Sequence, residues 1–310
     1  GFGTAPVGNI FKEIDEKTSD DMFQAAWKAG IRFYDTAPMY GHGLSEYRTG
    51  YSLRWKNRDD FILSTKVGRL LHPAKKETIN YAPWTNAGRF EVEFNYSYDA
   101  TMRSVEDSLQ RMGLESIDIL FIHDIERFTR GDEQPEVFKT AMDGSWKALS
   151  SLRDQGLVKA IGVGVNEWEV CHAALEQRDF DCFLLAGRYT LLEQEALDDF
   201  LPLCEKRGAA VVVGGGFNSG ILATGAIPGA KYNYSPAPEK IMVRVKEIEN
   251  VPPEVMEDVI QIMQRNKEEL QVEPDGTVEV SYNDLSAKTI NEIRKLLQAK
   301  NLCSSQNGFN

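Results

Sequence analysis

Ile31-Arg32-Phe33-Tyr34-Asp35-Thr36-Ala37-Pro38-Met39-Tyr40-Gly41 sets an acid and a phenol just beyond a short apolar run. Phe61-Ile62-Leu63-Ser64-Thr65-Lys66 ends in an amine, and Ile117-Asp118-Ile119-Leu120-Phe121-Ile122-His123 ends in an imidazole. Short apolar, β-branched runs of this kind read as buried parallel strands. In a barrel of parallel strands the C-terminal ends share one face, and that face carries the chemistry. Asp35, Tyr40, Lys66 and His123 are therefore expected at one spot. A lone Asp, Lys or His at a strand end is usually a cap or a solvated group. Four such residues in order, on three consecutive strand ends, favour a site.

The set suits proton transfer to a carbonyl oxygen. A free tyrosine titrates near ~10, too high for easy exchange at neutral pH. A neighbouring ammonium is expected to lower it by stabilising the phenolate. A carboxylate holds that ammonium in place, and an imidazole orients or polarises the carbonyl.

Helical and strand patterns alternate on both sides of these runs as far as residue 250, the signature of repeated βα units. Gly1-Phe2-Gly3-Thr4-Ala5 reads as the end of a first strand. Residues 19–29 read as a helix capped by Ser19, and residues 99–112 as one capped by Asp99. Residues 68–98 are long and polar, with Tyr81, Trp84 and Phe90, and fit a substrate lid. Strands are expected at 160–165, from 183, and at 209–213. Gly214-Gly215-Gly216-Phe217-Asn218-Ser219-Gly220 follows the last of these. Such a glycine run lets the backbone approach a ligand, and its amides can cradle a pyrophosphate.

Composition excludes several classes. The net charge of −12, with no basic patch, argues against direct nucleic-acid binding. No apolar run approaches the length of a membrane span, and no signal peptide is visible. Cys171, Cys182, Cys204 and Cys303 have no Cys-x-x-Cys spacing and read as reduced thiols, and no metal site is expected. A cytoplasmic location is expected.

These residues resemble the aldo-keto reductases. The Asp-x-Ala-x-x-Tyr-Gly segment, the Ser-Thr-Lys strand and the strand ending in His look like that family's catalytic tetrad. By the resemblance, Tyr40 is the general acid/base, Lys66 and Asp35 tune it, and His123 positions the substrate. The resemblance also implies a nicotinamide cofactor, NAD or NADP with NAD favoured. Gly3, Thr4 and Asp35 then lie at its first-strand contact, and Asn166 holds the nicotinamide amide. Tyr189 stacks on the ring, and Gly214, Gly215, Gly216, Phe217, Asn218, Ser219 and Gly220 wrap the phosphates. Val165 stands where the family usually has Ser, and Ala186 where it has Gln. His123-Asp124-Ile125-Glu126 and Gly162-Val163-Gly164-Val165-Asn166 look most like the sugar dehydrogenase and pyridoxal dehydrogenase branch. That implies a small carbonyl or sugar substrate, with an aldose as first choice.

Val251-Pro252-Pro253 breaks the pattern. Residues 253–264 and 289–297 read as amphipathic helices, and 277–282 as a strand. Val251-Pro252-x-Glu254, Val278-Glu279-Val280 and Leu285-x-x-x-Thr289-Ile290-x-Glu292-Ile293 resemble the extra-terminal (NET) domain of bromodomain proteins. That resemblance implies a peptide partner at 251–297, captured by strand pairing, and permits a nuclear location.

The expected architecture is a (β/α)8-type TIM barrel over residues 1–250 that lacks its eighth strand. A small helical module at 251–301 and a tail at 302–310 follow. The expected function is hydride transfer between a nicotinamide and a carbonyl or lactol. The alternative is an interaction protein with a degenerate reductase scaffold.

Overall fold

The structure, a computed structural model, describes residues 1–249, 271–272, 278–279, 292 and 295–296. Seven parallel strands form one sheet in the order β1 (Phe2–Gly3), β2 (Phe33–Asp35), β3 (Ile62–Val67), β4 (Ile119–His123), β5 (Ala160–Val165), β6 (Cys182–Ala186) and β7 (Ala210–Gly214). Each strand pairs with its predecessor in this series, and helices lie between them along the chain. This is the expected (β/α) barrel-type order. Among the described residues, β1 and β7 are each paired on one side.

Period-two alternation explains how β2 serves both faces. Tyr34 is fully buried among Phe2, Phe23 and Phe61, at ring separations of 6.0–6.2 Å. Its neighbour Asp35 points the other way. Ser64 is the register partner of Asp35, and Lys66, two residues further along β3, stays on the same face. On that face Phe121 faces Gly162, where a Cβ would overlap the carbonyl oxygen of Cys182 and the Phe121 ring. Glycine in β5 thus gives room for the aromatic core.

Two helix starts differ from expectation. The first helix, Glu16–Lys28, is capped by Asp15, whose carboxylate accepts from the Thr18 amide at 2.8 Å. Ser19 lies buried one turn in. The third, Tyr98–Met112, is capped by Ser97 rather than Asp99. In both, the true cap sits where extended backbone leads a side-chain oxygen onto an orphan amide.

The polar segment expected as a lid is largely a hairpin. Arg69–Pro73 pairs antiparallel with Phe90–Phe94 over five residue pairs. Between them Trp84 is buried and forms a bridge with Ile10.

The chain divides into two compact units, residues 1–186 with 204–214 and residues 187–203 with 215–310. The second has its own core of Leu192, Ile221, Ala230, Ile241 and Val245. Ile241 and Val245 lie one turn apart on the helix Glu239–Glu249. The expected strand at 277–282 is seen in part: Val278–Glu279 pairs antiparallel with Gln271–Val272. The boundary expected at 250, the two module helices and the tail otherwise lie outside the described residues. No helix among the described residues is long and apolar enough to cross a membrane.

Candidate active site

The four residues anticipated on the strand ends come together within the first unit. Lys66 Nζ donates to Asp35 Oδ2 at 2.7 Å and to the carbonyl of Thr36 at 2.8 Å. The same ammonium lies 4.6 Å from the centre of the Tyr40 ring. The Tyr40 ring is 6.0 Å from the His123 ring, edge to face. Ser64 Oγ donates to the other carboxylate oxygen of Asp35 at 2.7 Å, which fixes its plane.

The loop carrying Tyr40 depends on Gly41. Gly41 has φ +64°, and a Cβ there would overlap the Gly8 backbone. Only glycine makes this turn against Gly8 without strain. Thr4 anchors the loop's far side: its amide and hydroxyl both donate to the Asp35 carbonyl, at 2.9 and 2.8 Å. Its hydroxyl also accepts from Ser45 Oγ at 2.7 Å. The Thr4 hydroxyl thus serves β2 rather than standing free at the face.

One electrostatic expectation is corrected. Lys66 does lower the Tyr40 phenol, but burial outweighs it and pushes the phenol up to about 12. Tyr40 is half-buried by surface area, while protein atoms crowd its hydroxyl. At neutral pH the phenol holds its proton. Lys66 is opposite in balance. Burial pulls its ammonium down, yet Asp35 first and Tyr40 next raise it overall, so it stays charged.

His123 is held by residues that strand-end reasoning did not single out. Arg69 Nη1 contacts His123 Nδ1 at 2.7 Å, and Arg69 Nη2 donates to Asp124 Oδ2 at 2.6 Å. Tyr96 donates from its hydroxyl to the backbone carbonyls of His123 and Asp124, at 2.7 and 3.0 Å. Burial, then the charges of Arg69 and Lys66, hold the imidazole well below its usual range, so it is neutral. Trp84 closes the other side of Tyr40, with ring centres 5.8 Å apart. A neutral ring donor, a protonated phenol and a paired ammonium can together hold a carbonyl oxygen and hand it a proton.

Asn166, just beyond β5, is half-buried, and its Nδ2 points to Glu126 Oε1 at 3.4 Å. Glu126 is fully buried, accepts from Thr129 Oγ1 at 2.6 Å, and has no partner on Oε2. Burial first and Asp124 next push its carboxyl up to about 7. A folded-state value above the unfolded one means the folded protein binds more protons. Stability therefore falls as pH rises from the ordinary carboxyl range through 7. Glu126→Gln keeps an acceptor for Thr129 and removes the buried charge. It is expected to be more stable than the parent by on the order of 1–3 kcal/mol near pH 8, with the gap closing near pH 5. Thermal unfolding across that range checks this; a gap that widens toward acid pH would oppose it.

Tyr189 and residues 215–220 belong to the second unit. Tyr189 is buried. The glycine run turns through left-handed backbone at Gly215 (φ +60°), Asn218 (+45°), Ser219 (+60°) and Gly220 (+95°). Added Cβ atoms at Gly216 or Gly220 would meet nothing within 4 Å, so space is open over the loop. Asn218 Nδ2 donates to the Gly187 carbonyl at 3.1 Å, while its buried Oδ1 has no partner. Phe217 is 65% exposed, and Ser219 Oγ accepts from the Tyr234 amide at 3.1 Å. In the first unit, Gly3 likewise has nothing within 4 Å of an added Cβ. Among the described residues no group of three His, Cys, Asp or Glu is arranged to hold a metal ion.

The model of the Aldo/keto reductase family matches residues 1–295. A pyridoxal 4-dehydrogenase of Microbacterium luteolum is 43% identical over 262 residues, covering 81% of this chain and 76% of that protein. A D-threo-aldose 1-dehydrogenase of a Pseudomonas species is 37% identical over 253 residues, covering 80% and 74%. An aldo-keto reductase from Bacillus halodurans, solved in its holo form, shares the fold with a TM-score of 0.57 at 21% identity, over 96% of this chain and 91% of that one. The family match runs on through residues 251–295. Neither a separate NET-type module, nor a peptide partner for it, nor the loss of an eighth strand is supported by that match. The short motifs that suggested the module fall within the family's own span.

Proposed function

The chain belongs to the aldo/keto reductase family, and from that premise we propose that this oxidoreductase oxidises a lactol to a lactone, with pyridoxal in its cyclic form as leading substrate. The observation that carries this reading is the single ammonium of Lys66, paired to Asp35 at 2.7 Å and set 4.6 Å from the Tyr40 ring, with His123 beside it. A nicotinamide dinucleotide, when bound, would supply the two-electron acceptor. Tyr40 takes the hydroxyl proton as the carbon loses hydride, and returns one in the reverse direction. Lys66 stabilises the phenolate that oxidation needs, and Asp35 keeps Lys66 charged and placed. His123 donates a hydrogen bond to the reacting oxygen.

The chain's own residues fit such a cofactor. Within the second unit, open space above Gly216 and Gly220 and the left-handed turns at 215–220 suit close backbone approach to phosphates. Asn166 suits the amide of the nicotinamide. NAD is the first cofactor to test, with NADP beside it.

Pyridoxal leads because the 43% relative carries that name and because Trp84 and Tyr40 place aromatic surface for a flat ring. An aldose is the second reading, from the 37% relative. The intact ion pair and its neighbours disfavour a degenerate scaffold. Initial rates with pyridoxal and a set of aldopyranoses, each with NAD and with NADP, test the proposal. Pyridoxal with NAD is expected to exceed the best aldose in kcat/KM by about tenfold or more. An aldose that wins puts the second reading first. No reduced nicotinamide with any pair overturns both.

A further inference from the structure

Arg69 follows β3 by two residues and is 3% exposed. Its two terminal nitrogens are used differently. Nη1 meets His123 Nδ1 at 2.7 Å, and Nη2 meets Asp124 Oδ2 at 2.6 Å. A guanidinium has five N–H donors, no acceptor, and does not lose its proton in a protein. His123 Nδ1 must therefore be the acceptor in the first contact. That leaves the ring proton on Nε2 and makes the ring neutral. Nε2 in turn lies 3.4 Å from Asp124 Oδ1, too long for a strong bond, so the N–H is available to another acceptor.

We propose that Arg69 is a positioning residue that locks His123 as the neutral Nε2–H tautomer, so that the imidazole serves as a fixed hydrogen-bond donor to the substrate oxygen and not as a proton donor. The proposal rests on the reading of His123 as facing substrate, but its central statement concerns a tautomer that exists without substrate.

The surroundings of His123 give the sign of the effect. Lys66 and Arg69 are the cations that face it, Asp124 is the adjoining carboxylate, and Tyr40 lies edge-on. Tyr96 reaches only backbone carbonyls, and the Asp124 and Glu126 carboxylates repel each other. Removing Arg69 deletes one repelling cation and frees Asp124 from its partner. Asp124 then attracts a proton onto the imidazole. The variant's histidine should thus titrate upward, toward its ordinary range.

The experiment is nitrogen NMR of histidine-labelled, cofactor-free protein, with His123→Gln to assign one of the four histidines. In the parent, His123 is expected to show one protonated and one bare nitrogen, with Nε2 protonated, unchanged from about pH 5 to 9. In Arg69→Met it is expected to titrate within that window and to mix tautomers once neutral. Turnover should fall on the order of 10–100-fold, the loss typical when an orienting partner of an imidazole is removed. A new ionisation should enter the pH profile of kcat/KM. Arg69→Lys can reach Nδ1 or Asp124 but not both, and should sit between. Arg69→Met also leaves the buried Asp124 carboxylate unpaired. Should it not fold, Arg69→Met/Asp124→Asn carries the test, with mixed tautomers and a smaller rise in titration than Arg69→Met as the result. A parent His123 protonated on Nδ1, or one that titrates near its ordinary value, overturns the proposal. So does a parent-like spectrum in every Arg69 variant. Failure of the lactol reading looks different: the nitrogen spectra hold while neither substrate is turned over.

Discussion

Tyr40→Phe is expected to lower turnover by about 10²–10⁴-fold, the usual range for loss of a positioned acid/base, with the melting temperature nearly unchanged. The substitution keeps the ring that faces Lys66 at 4.6 Å and Trp84 at 5.8 Å. It removes only the hydroxyl whose proton moves. The pH profile gives a second, independent reading. Burial pushes the phenol up to about 12. Oxidation needs Tyr40 to accept a proton, so only the phenolate fraction works, and below that value the fraction grows about tenfold per pH unit. Oxidation should therefore rise steadily with pH. Reduction needs the protonated phenol and should be flat through neutrality. Tyr40→Phe should abolish the pH dependence along with the rate. Full turnover in the variant, or oxidation that falls as pH rises, would remove Tyr40 from the acid/base role.

Much of this arrangement was legible because it follows from chain-local rules. Asp35, Lys66 and His123 each end an apolar run, and strand parity puts Ser64 and Lys66 on one face, to which the register with β2 adds Asp35. What was not legible depends on three-dimensional neighbours. Arg69 and His123 are 54 residues apart, and no local pattern marks a buried arginine that caps an imidazole. The raised Tyr40 phenol was missed because a sequence shows the neighbouring charge but not the depth of burial. The burial of Glu126 was missed for the same reason, although the sequence motif after β4 includes it. The hairpin was within reach. Phe90-Glu91-Val92-Glu93-Phe94 alternates with period two, but its charges and the long polar stretch before it hid the strand. The reading of residues 251–297 as a separate module finds no support, for a different reason. Short motifs of common residues matched a small domain, while the family model, which weighs the whole span, runs through them.

Asp35→Leu is expected to destabilise the protein by ~3–5 kcal/mol, more than a typical core substitution, because it strands a charge. The Lys66 side chain is 1% exposed and that of Asp35 is 13% exposed. With Asp35 gone, Lys66 Nζ keeps the Thr36 carbonyl and the Tyr40 hydroxyl but no counter-charge. Ser64, fully buried, loses its short bond to the carboxylate. The pH signature distinguishes charge from packing. In the parent, the Lys66 ammonium is raised on balance, so its stabilisation is complete below the ordinary lysine value and is lost only as pH rises through the folded-state value. In Asp35→Leu the largest opposing influence is gone, and burial pulls the amine down against Tyr40 only. The folded state then binds fewer protons than the unfolded one, and the variant should gain stability as pH rises from neutral. Removing both charges should undo most of the loss, since replacing a buried ion pair by apolar groups of similar volume is often neutral. Asp35→Leu/Lys66→Met is therefore expected to be folded, more stable than Asp35→Leu alone, and inactive. Denaturant unfolding of the parent, both single variants and the double at two pH values closes the cycle. A double variant no more stable than Asp35→Leu, or a single variant within about 1 kcal/mol of the parent, would mean that the pair is not what holds Lys66 against Tyr40.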